Sequence, residues 1–102
     1  MHIGVVVTDD KYLNDAISLL KKASIKGFET ECFLTDRGVL LLNFDNFTDY
    51  VDKINCKVSV CEHSIDRLGE TKNIEKFKDK MIIGGQYQDA ELVSRSDKVI
   101  VF

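Results

Sequence analysis

The feature that most constrains the fold of this chain is an alternation of β-branched runs with amphipathic segments. Residues 3–8 form an almost continuous apolar run, which is typical of a strand covered on both faces in a parallel sheet. The segment that follows predicts a helix, because its apolar residues recur at the helical spacing: Leu13, Ala16, Ile17, Leu20 and Ala23. Gly27 predicts the end of that helix. The chain therefore opens with one strand and one helix.

The same alternation continues to the end of the sequence. The pattern predicts four more strands, at residues 28–34, 57–61, 81–83 and 98–102. It also predicts three more helices, at residues 45–54, directly after Cys61, and at residues 87–95. Parallel neighbours need crossover connections, which helices usually form. The order therefore predicts an α/β fold. Specifically, we expect a three-layer α/β/α sandwich with a mostly parallel sheet of about five strands and Rossmann-like or flavodoxin-like topology.

Four segments are harder to assign from their pattern. Residues 39–42 are apolar but too few to classify, so a strand and a helical turn both remain open. Glu29 and Glu31 alternate with apolar residues and predict a sheet edge or a partly solvated face for the second strand. Residues 81–83 predict a short buried strand, whereas the charged residues 70–80 predict a loop with a helical turn.

Length and charge limit the classes of protein to which the chain can belong. With 102 residues, of which 44% are hydrophobic, it fits a single globular domain over residues 1–102. Its formal net charge of −3 gives no basic surface for nucleic acid. No apolar stretch approaches the roughly 20 residues that span a bilayer, and the first residues lack the basic region of a signal peptide. We therefore expect a cytoplasmic protein that binds neither nucleic acid nor membrane.

The three cysteines, Cys32, Cys56 and Cys61, indicate reduced thiols. Their number is odd and they contain no C-x-x-C pair, which argues against a zinc site and a disulfide framework. On one extended segment Cys56 and Cys61 would lie about 17 Å apart and face opposite sides of the sheet. The sequence predicts no metal and no cofactor.

Cys61 has the most informative position of the three. It closes the predicted strand 57–61 and directly precedes a segment with helical character, and ligands of open α/β sheets collect at the carboxyl ends of strands. A thiol there receives the N–H groups of the first helical turn, which favour the thiolate. The other strand ends carry Thr8 and the pair Gly84 and Gly85, which could admit a small anion at a helix amino terminus.

Several of these features occur together in one known family. The first is a strand and helix over residues 3–27, and the second is the run Phe33, Leu34, Thr35 and Asp36 followed by Gly38 and Val39. The third is Cys61 with Arg67 six and Gly69 eight residues later, and the fourth is the closing segment, residues 96–102. In these features the chain resembles the DsrE/DsrF-like sulfur-relay proteins, which include the TusD-type sulfur carriers. The resemblance extends over essentially the whole chain. It implies that Cys61 holds a persulfide, and that the protein forms homo-oligomers, trimers or hexamers.

The residues after the cysteine depart from the family pattern. Family members tend to have small apolar residues there, whereas this chain has Glu62 and His63. A carboxylate beside the sulfur disfavours the thiolate and a protonated histidine favours it, so the sign of their combined effect stays open. His63 itself remains open between a solvated surface residue and a general base.

Two functional hypotheses follow. In the first, the protein is a sulfur carrier or sulfurtransferase that passes a persulfide sulfur from a donor protein through Cys61 to an acceptor protein, and Ser64 stabilises the sulfur anion. In the second, it is a non-catalytic α/β binding or oligomeric assembly module for a small anionic ligand near Gly84 and Thr8, and Cys61 is structural. The exposure and reactivity of the Cys61 thiol distinguish the two.

Overall fold

The computed structural model describes residues 1–68 and 78–102. Its strands are β1 (His2–Val7), β2 (Glu29–Leu34), β3 (Lys57–Cys61), β4 (Met81–Gly84) and β5 (Lys98–Val101). Its α-helices over these residues are α1 (Leu13–Ile25), α2 (Asp45–Lys53), α3 (Glu62–Leu68) and α4 (Gln86–Arg95). Short 3-10 helices cover Asp10–Tyr12, Asp36–Asn43 and Lys78–Lys80.

The five strands form one parallel sheet in the order β4-β3-β2-β1-β5. From β1 to β4 each strand is added beside its predecessor, and β5 then pairs with the other side of β1, where Lys98 lies opposite Ile3. The direction of winding therefore reverses at β1, as in other doubly wound sheets. The predicted parallel α/β fold is confirmed.

Helices cover both faces of the sheet. The larger core joins the sheet to α1, α2 and the 3-10 helix Asp36–Asn43, and its sheet residues include Val5, Val7, Cys32, Leu34, Val58 and Val60. Because side chains alternate along a strand, the intervening residues face the opposite layer. There Val6, Phe33 and Cys61 pack against Leu92 of α4 in a second, smaller core.

α4 lies very close to the sheet at Gly4 of β1. A Cβ atom at Gly4 would collide with the side chains of Leu92 and Ser96, so any other residue would force these side chains to move. Gly38 has a similar role at the carboxyl end of β1, where a Cβ atom would overlap the carbonyl oxygen of Val7. Both glycines therefore allow a helical segment to approach the backbone of β1.

β2 lies in the centre of the sheet, so the sheet-edge alternative for the strand with Glu29 and Glu31 is wrong. Glu29 at its start is exposed, whereas the side chain of Glu31 is only 4% exposed. Arg95 of α4 donates hydrogen bonds to both carboxylate oxygens of Glu31, and His2 Nε2 lies 3.0 Å from Oε2. Two distant basic groups therefore allow the carboxylate to lie inside the molecule.

Two of the remaining sequence predictions can be compared with the structure. Residues 39–42 belong to the 3-10 helix Asp36–Asn43, in which Val39, Leu41 and Leu42 are buried, so the helical alternative holds. β4 is an edge strand in which Ile82 and Ile83 are 43% and 40% exposed, so the predicted burial of residues 81–83 is wrong beyond Met81. Most of the predicted loop 70–80 lies outside the described residues.

Candidate functional site

Cys61 is the last residue of β3, and α3 begins at the next residue. In the sheet its backbone lies opposite Gly84 of β4, and on the other side β2 ends at Leu34, one residue before Thr35. The Cys61 residue is only 7% exposed. The thiol is therefore held at the carboxyl edge of the sheet between the ends of two neighbouring strands.

An open groove of about 430 Å³ lies at this edge, lined by Cys61, Glu62, His63, Asp66, Gly84 and Gly85. One wall is the start of α3, which carries the charged side chains, and the other is the glycine pair that leads into α4. A Cβ atom at Gly84 would overlap the side chain of Gln88, while one at Gly85 would meet no atom within 4 Å. Because Gly84 and Gly85 have no side chains, only backbone atoms form this wall of the groove.

The start of α3 explains the electrostatics of the thiol. Cys61 directly precedes the helix, in the position from which a side-chain acceptor receives the N–H groups of the second and third helical residues. Burial raises the pKa of the Cys61 thiol, but the Ser64 hydroxyl, the Ser64 N–H, the Thr35 hydroxyl and the His63 N–H act as donors to the sulfur. Together they outweigh burial, and the pKa lies below the usual cysteine value.

The orientation of Ser64 depends on the neighbouring loop. Ser64 is only 2% exposed, and its Oγ accepts a hydrogen bond of 2.9 Å from the backbone N–H of Asp36. A hydroxyl has one hydrogen to donate, and the accepted bond occupies a lone pair and not that hydrogen. Ser64 can therefore accept from Asp36 and donate to the Cys61 sulfur at the same time.

The other two cysteines differ from Cys61 in the groups that surround the sulfur, although Cys56 is about as exposed as Cys61. Both belong to the larger core, where Cys32 is fully buried and Cys56 is 6% exposed. Burial raises the pKa of the Cys32 thiol well above its usual value and raises that of Cys56 to about 11. Of the three thiols, Cys61 is thus the one with a lowered pKa, and it faces a different layer of the fold from Cys32 and Cys56.

The structure brings most of the residues predicted for the site to one place. Hydrogen bonds from Ser64 and from the backbone N–H of His63 are among the causes that lower the pKa of Cys61, the side chain of His63 is exposed, and Gly84 and Gly85 line the groove. Thr8 is not among the lining residues. Its hydroxyl donates a hydrogen bond of 2.8 Å to the carbonyl of Phe102, and so joins the ends of β1 and β5.

Thr35 is a further donor to the sulfur that was not predicted from the sequence. The available signal is its place directly after a strand that pairs with β3, since the ends of paired parallel strands meet at one edge. Gly69, which belongs to the family pattern, lies outside the described residues.

Within residues 1–68 and 78–102, no three His, Cys, Asp or Glu side chains come together in a way that could hold a metal ion. Over the same ranges, none of the helices has the length and apolar character that crossing a membrane requires.

Comparison with known proteins relates this chain to others by its fold. No family model matches the sequence, and no curated protein matches it. Among solved structures, a conserved protein of unknown function from Bacteroides thetaiotaomicron is similar, with a TM-score of 0.75 over 99% of this chain and 94% of that chain. The likeness is one of fold. At 12% sequence identity it supports the α/β architecture alone.

Proposed function

We propose that this protein is a sulfur carrier that takes up a persulfide sulfur on Cys61 and passes it to a partner thiol. The observation that carries the proposal is the contrast among its three thiols. Cys61 and Cys56 each line an open surface cavity, but donors around Cys61 lower the pKa of its thiol, whereas burial raises the pKa of Cys56 and of the fully buried Cys32. Because the thiolate is the nucleophilic form of cysteine, one sulfur in this fold is suited to react.

In the loading step, the Cys61 thiolate attacks the outer sulfur of a donor persulfide. A new S–S bond forms to Cys61 while the S–S bond of the donor breaks, and the donor leaves as a thiolate. Ser64 and Thr35 stabilise the attacking anion through their hydroxyl groups. No external oxidant or reductant is needed, because the sulfur is transferred at its own oxidation level.

In the unloading step, the thiolate of an acceptor attacks the outer sulfur on Cys61, and Cys61 leaves as a thiolate. A leaving group with a lowered pKa departs faster, so the same donors that activate the attack also assist release. Cys61 is 7% exposed at the groove, so the acceptor must present a protruding thiol. This favours a cysteine on a loop or tail of the partner protein over one on a flat surface.

A second candidate function, anion binding without transfer, is favoured by the geometry at Gly85. This residue caps α4, no side chain makes a capping hydrogen bond there, and a Cβ atom would meet no neighbour within 4 Å. A small anion would find backbone N–H groups and open space at this end of the groove. In that case Cys61 would be a packing residue of the smaller core.

Mass spectrometry of the intact protein tests the proposal. The protein is treated with inorganic polysulfide, desalted, and then offered a small thiol acceptor. We expect one added sulfur atom on the wild type, its absence in Cys61→Ser, and its loss when the acceptor is added. Cys56→Ser is the matched control, because it removes a buried thiol and is expected to load like the wild type.

Peptide mapping of the loaded protein then places the added sulfur. If it is found on Cys32 or Cys56 as often as on Cys61, or if the folded wild type takes up no sulfur, the carrier function is wrong. Retained binding of a small anion such as sulfate, measured by calorimetry, would then favour the second candidate.

The carrier proposal has further requirements. It needs a donor protein, an acceptor protein and a reducing compartment such as the cytoplasm, in which free thiols persist. The homo-oligomer that the family resemblance implies stays a prediction, and the exposed edge strand β4 offers one surface for it.

A further inference from the structure

The start of the 3-10 helix Asp36–Asn43 is joined to α3 by two polar contacts, both made by Asp36. In the first, the backbone N–H of Asp36 donates to Ser64 Oγ over 2.9 Å. In the second, Arg67 Nη2 donates to Asp36 Oδ1 over 3.1 Å. Ser64 is buried, while the side chains of Asp36 and Arg67 are 60% and 51% exposed. An exposed ion pair thus lies directly behind a buried hydroxyl.

The backbone of Asp36 is in an unusual conformation. Its φ angle is +49°, in the left-handed region that L-residues other than glycine, asparagine and aspartate rarely adopt. Such a residue persists where its surroundings fix it. Here Arg67 holds the carboxylate, and the left-handed turn directs the N–H toward the oxygen of Ser64.

We propose that the ion pair between Asp36 and Arg67 is a positioning device for Cys61. The ion pair holds Asp36 so that its backbone N–H donates to one lone pair of the Ser64 oxygen. The hydroxyl is thereby oriented so that its single hydrogen can be donated to the Cys61 sulfur. Asp36 and Arg67 are positioning residues, since they act through Ser64. The inference rests on the proposed function, because it concerns the same thiolate, but its test does not require sulfur transfer.

Other charged groups also face Cys61 and must be separated from this effect. On α3 these are Glu62, His63 and Asp66, while the opposite wall, formed by Gly84 at the end of β4 and Gly85 before α4, carries no side-chain charge. Arg67 could also favour the thiolate simply as a cation. Positioning through Ser64 and direct attraction between the Arg67 charge and the thiolate can be distinguished, because only positioning requires the hydroxyl of Ser64.

Alkylation of the native protein by iodoacetamide, followed on the Cys61 peptide by mass spectrometry from about pH 6 to 10, tests the inference. The variants are Arg67→Gln, Ser64→Ala and the double variant. We expect Arg67→Gln to slow alkylation at neutral pH by about threefold, the effect of one weakened hydrogen bond, and to move the pH midpoint upward. Ser64→Ala is expected to slow it at least as much, and the double variant no further.

The matched control is Arg37→Gln. It removes the arginine next to Asp36 in the 3-10 helix Asp36–Asn43, whose Nη2 pairs with Asp10 at 3.3 Å. We expect its alkylation profile to match the wild type. Asp36→Gly gives an independent second variant, because glycine adopts the same φ without strain and only the carboxylate is lost, and it is expected to behave like Arg67→Gln.

Three results would overturn the inference. The first is an unchanged rate in Arg67→Gln, the second an unchanged rate in Ser64→Ala, and the third a further slowing by Arg67→Gln within the Ser64→Ala background, which would show that Arg67 acts by charge alone. Sulfur loading is measured on the same samples. A wild type that alkylates as expected but takes up no sulfur contradicts the carrier function and leaves the positioning role intact.

Discussion

The substitution Arg95→Met tests the ion pair between the half-exposed Arg95 and the buried Glu31, which fixes α4 to the sheet. Arg95 Nε donates to Oε2 of Glu31 at 3.3 Å, and its Nη2 donates to Oε1, while the side chain of Glu31 is 4% exposed. Methionine retains much of the length and apolar packing of arginine and removes the charge. The variant therefore leaves a carboxylate inside the protein with one basic neighbour, His2 at 3.0 Å.

The size of the effect follows from burial. Removing one partner of a buried pair typically costs about 3–5 kcal/mol. Arg95 is 38% exposed and His2 remains beside Glu31, so we expect a smaller loss of about 2 kcal/mol in the free energy of unfolding. For a domain of this size that corresponds to a fall of about 10 °C in Tm. The assay is thermal and urea unfolding, followed by circular dichroism.

The pH dependence gives the sharper test. Burial raises the pKa of Glu31, but hydrogen bonds from Arg95 and His2 outweigh it and hold the pKa below its ordinary value of 4.5. In the wild type the ionised carboxylate therefore stabilises the fold at neutral pH, and this contribution is lost as pH falls through the folded-state pKa. In Arg95→Met we expect burial to dominate and to raise the pKa of Glu31. As pH falls, Glu31 then becomes protonated in the folded variant, and the destabilisation caused by its buried charge is lost. The difference in unfolding free energy between the wild type and Arg95→Met is therefore expected to be smaller at about pH 4 than at about pH 7.

Lys80→Met is the matched control for the Arg95 substitution. It removes a cation from an exposed pair with Asp52, whose side chains are 54% and 50% exposed, and is expected to cost less than about 1 kcal/mol. An equal loss in both variants, or a loss in Arg95→Met that is the same at pH 4 and pH 7, would refute the reasoning about Glu31.

Three further predictions concern packing, thiol chemistry and assembly. Gly38→Ala places a Cβ atom against the carbonyl of Val7 and is expected to lower the free energy of unfolding by about 1–3 kcal/mol. At Gly85 a Cβ atom meets open space, so Gly85→Ala is expected to change the free energy of unfolding little. Chemical denaturation measures both changes. In the native protein iodoacetamide is expected to modify Cys61 long before Cys56, whose pKa is about 11, and equal labelling would contradict the assigned environments. Light scattering after size-exclusion chromatography is expected to show a trimer or hexamer, and a monomer at micromolar concentration would contradict it.

The sequence was sufficient to predict the architecture because its signals are local. The run at residues 3–8 and the apolar spacing from Leu13 to Ala23 each specify one element, and crossover rules then favour a parallel sheet. The place of Cys61 at a strand end follows from the same pattern. These features depend on residues a few positions apart.

The features that sequence analysis missed depend on distant partners. The central position of β2 contradicts the edge expected from its glutamates, because the partner that permits burial of Glu31 is Arg95, 64 positions later. Likewise, Thr35 reaches the sulfur of Cys61 only through the pairing of β2 with β3, and the left-handed turn at Asp36 has no periodic signature. Such contacts become visible when the register of the sheet is known.

The pairing of β5 with β1 has a consequence for folding kinetics. The strands from β1 to β4 pair with their neighbours in sequence, whereas the β1–β5 edge brings together His2 and Asp97, which are 95 positions apart. Closing so long a loop costs more chain entropy, so we expect α4 and β5 to dock late and to show faster amide hydrogen exchange than β2 and β3. Because Gly85 caps α4, we expect that wall of the Cys61 groove to belong to the part of the fold that closes last and opens first.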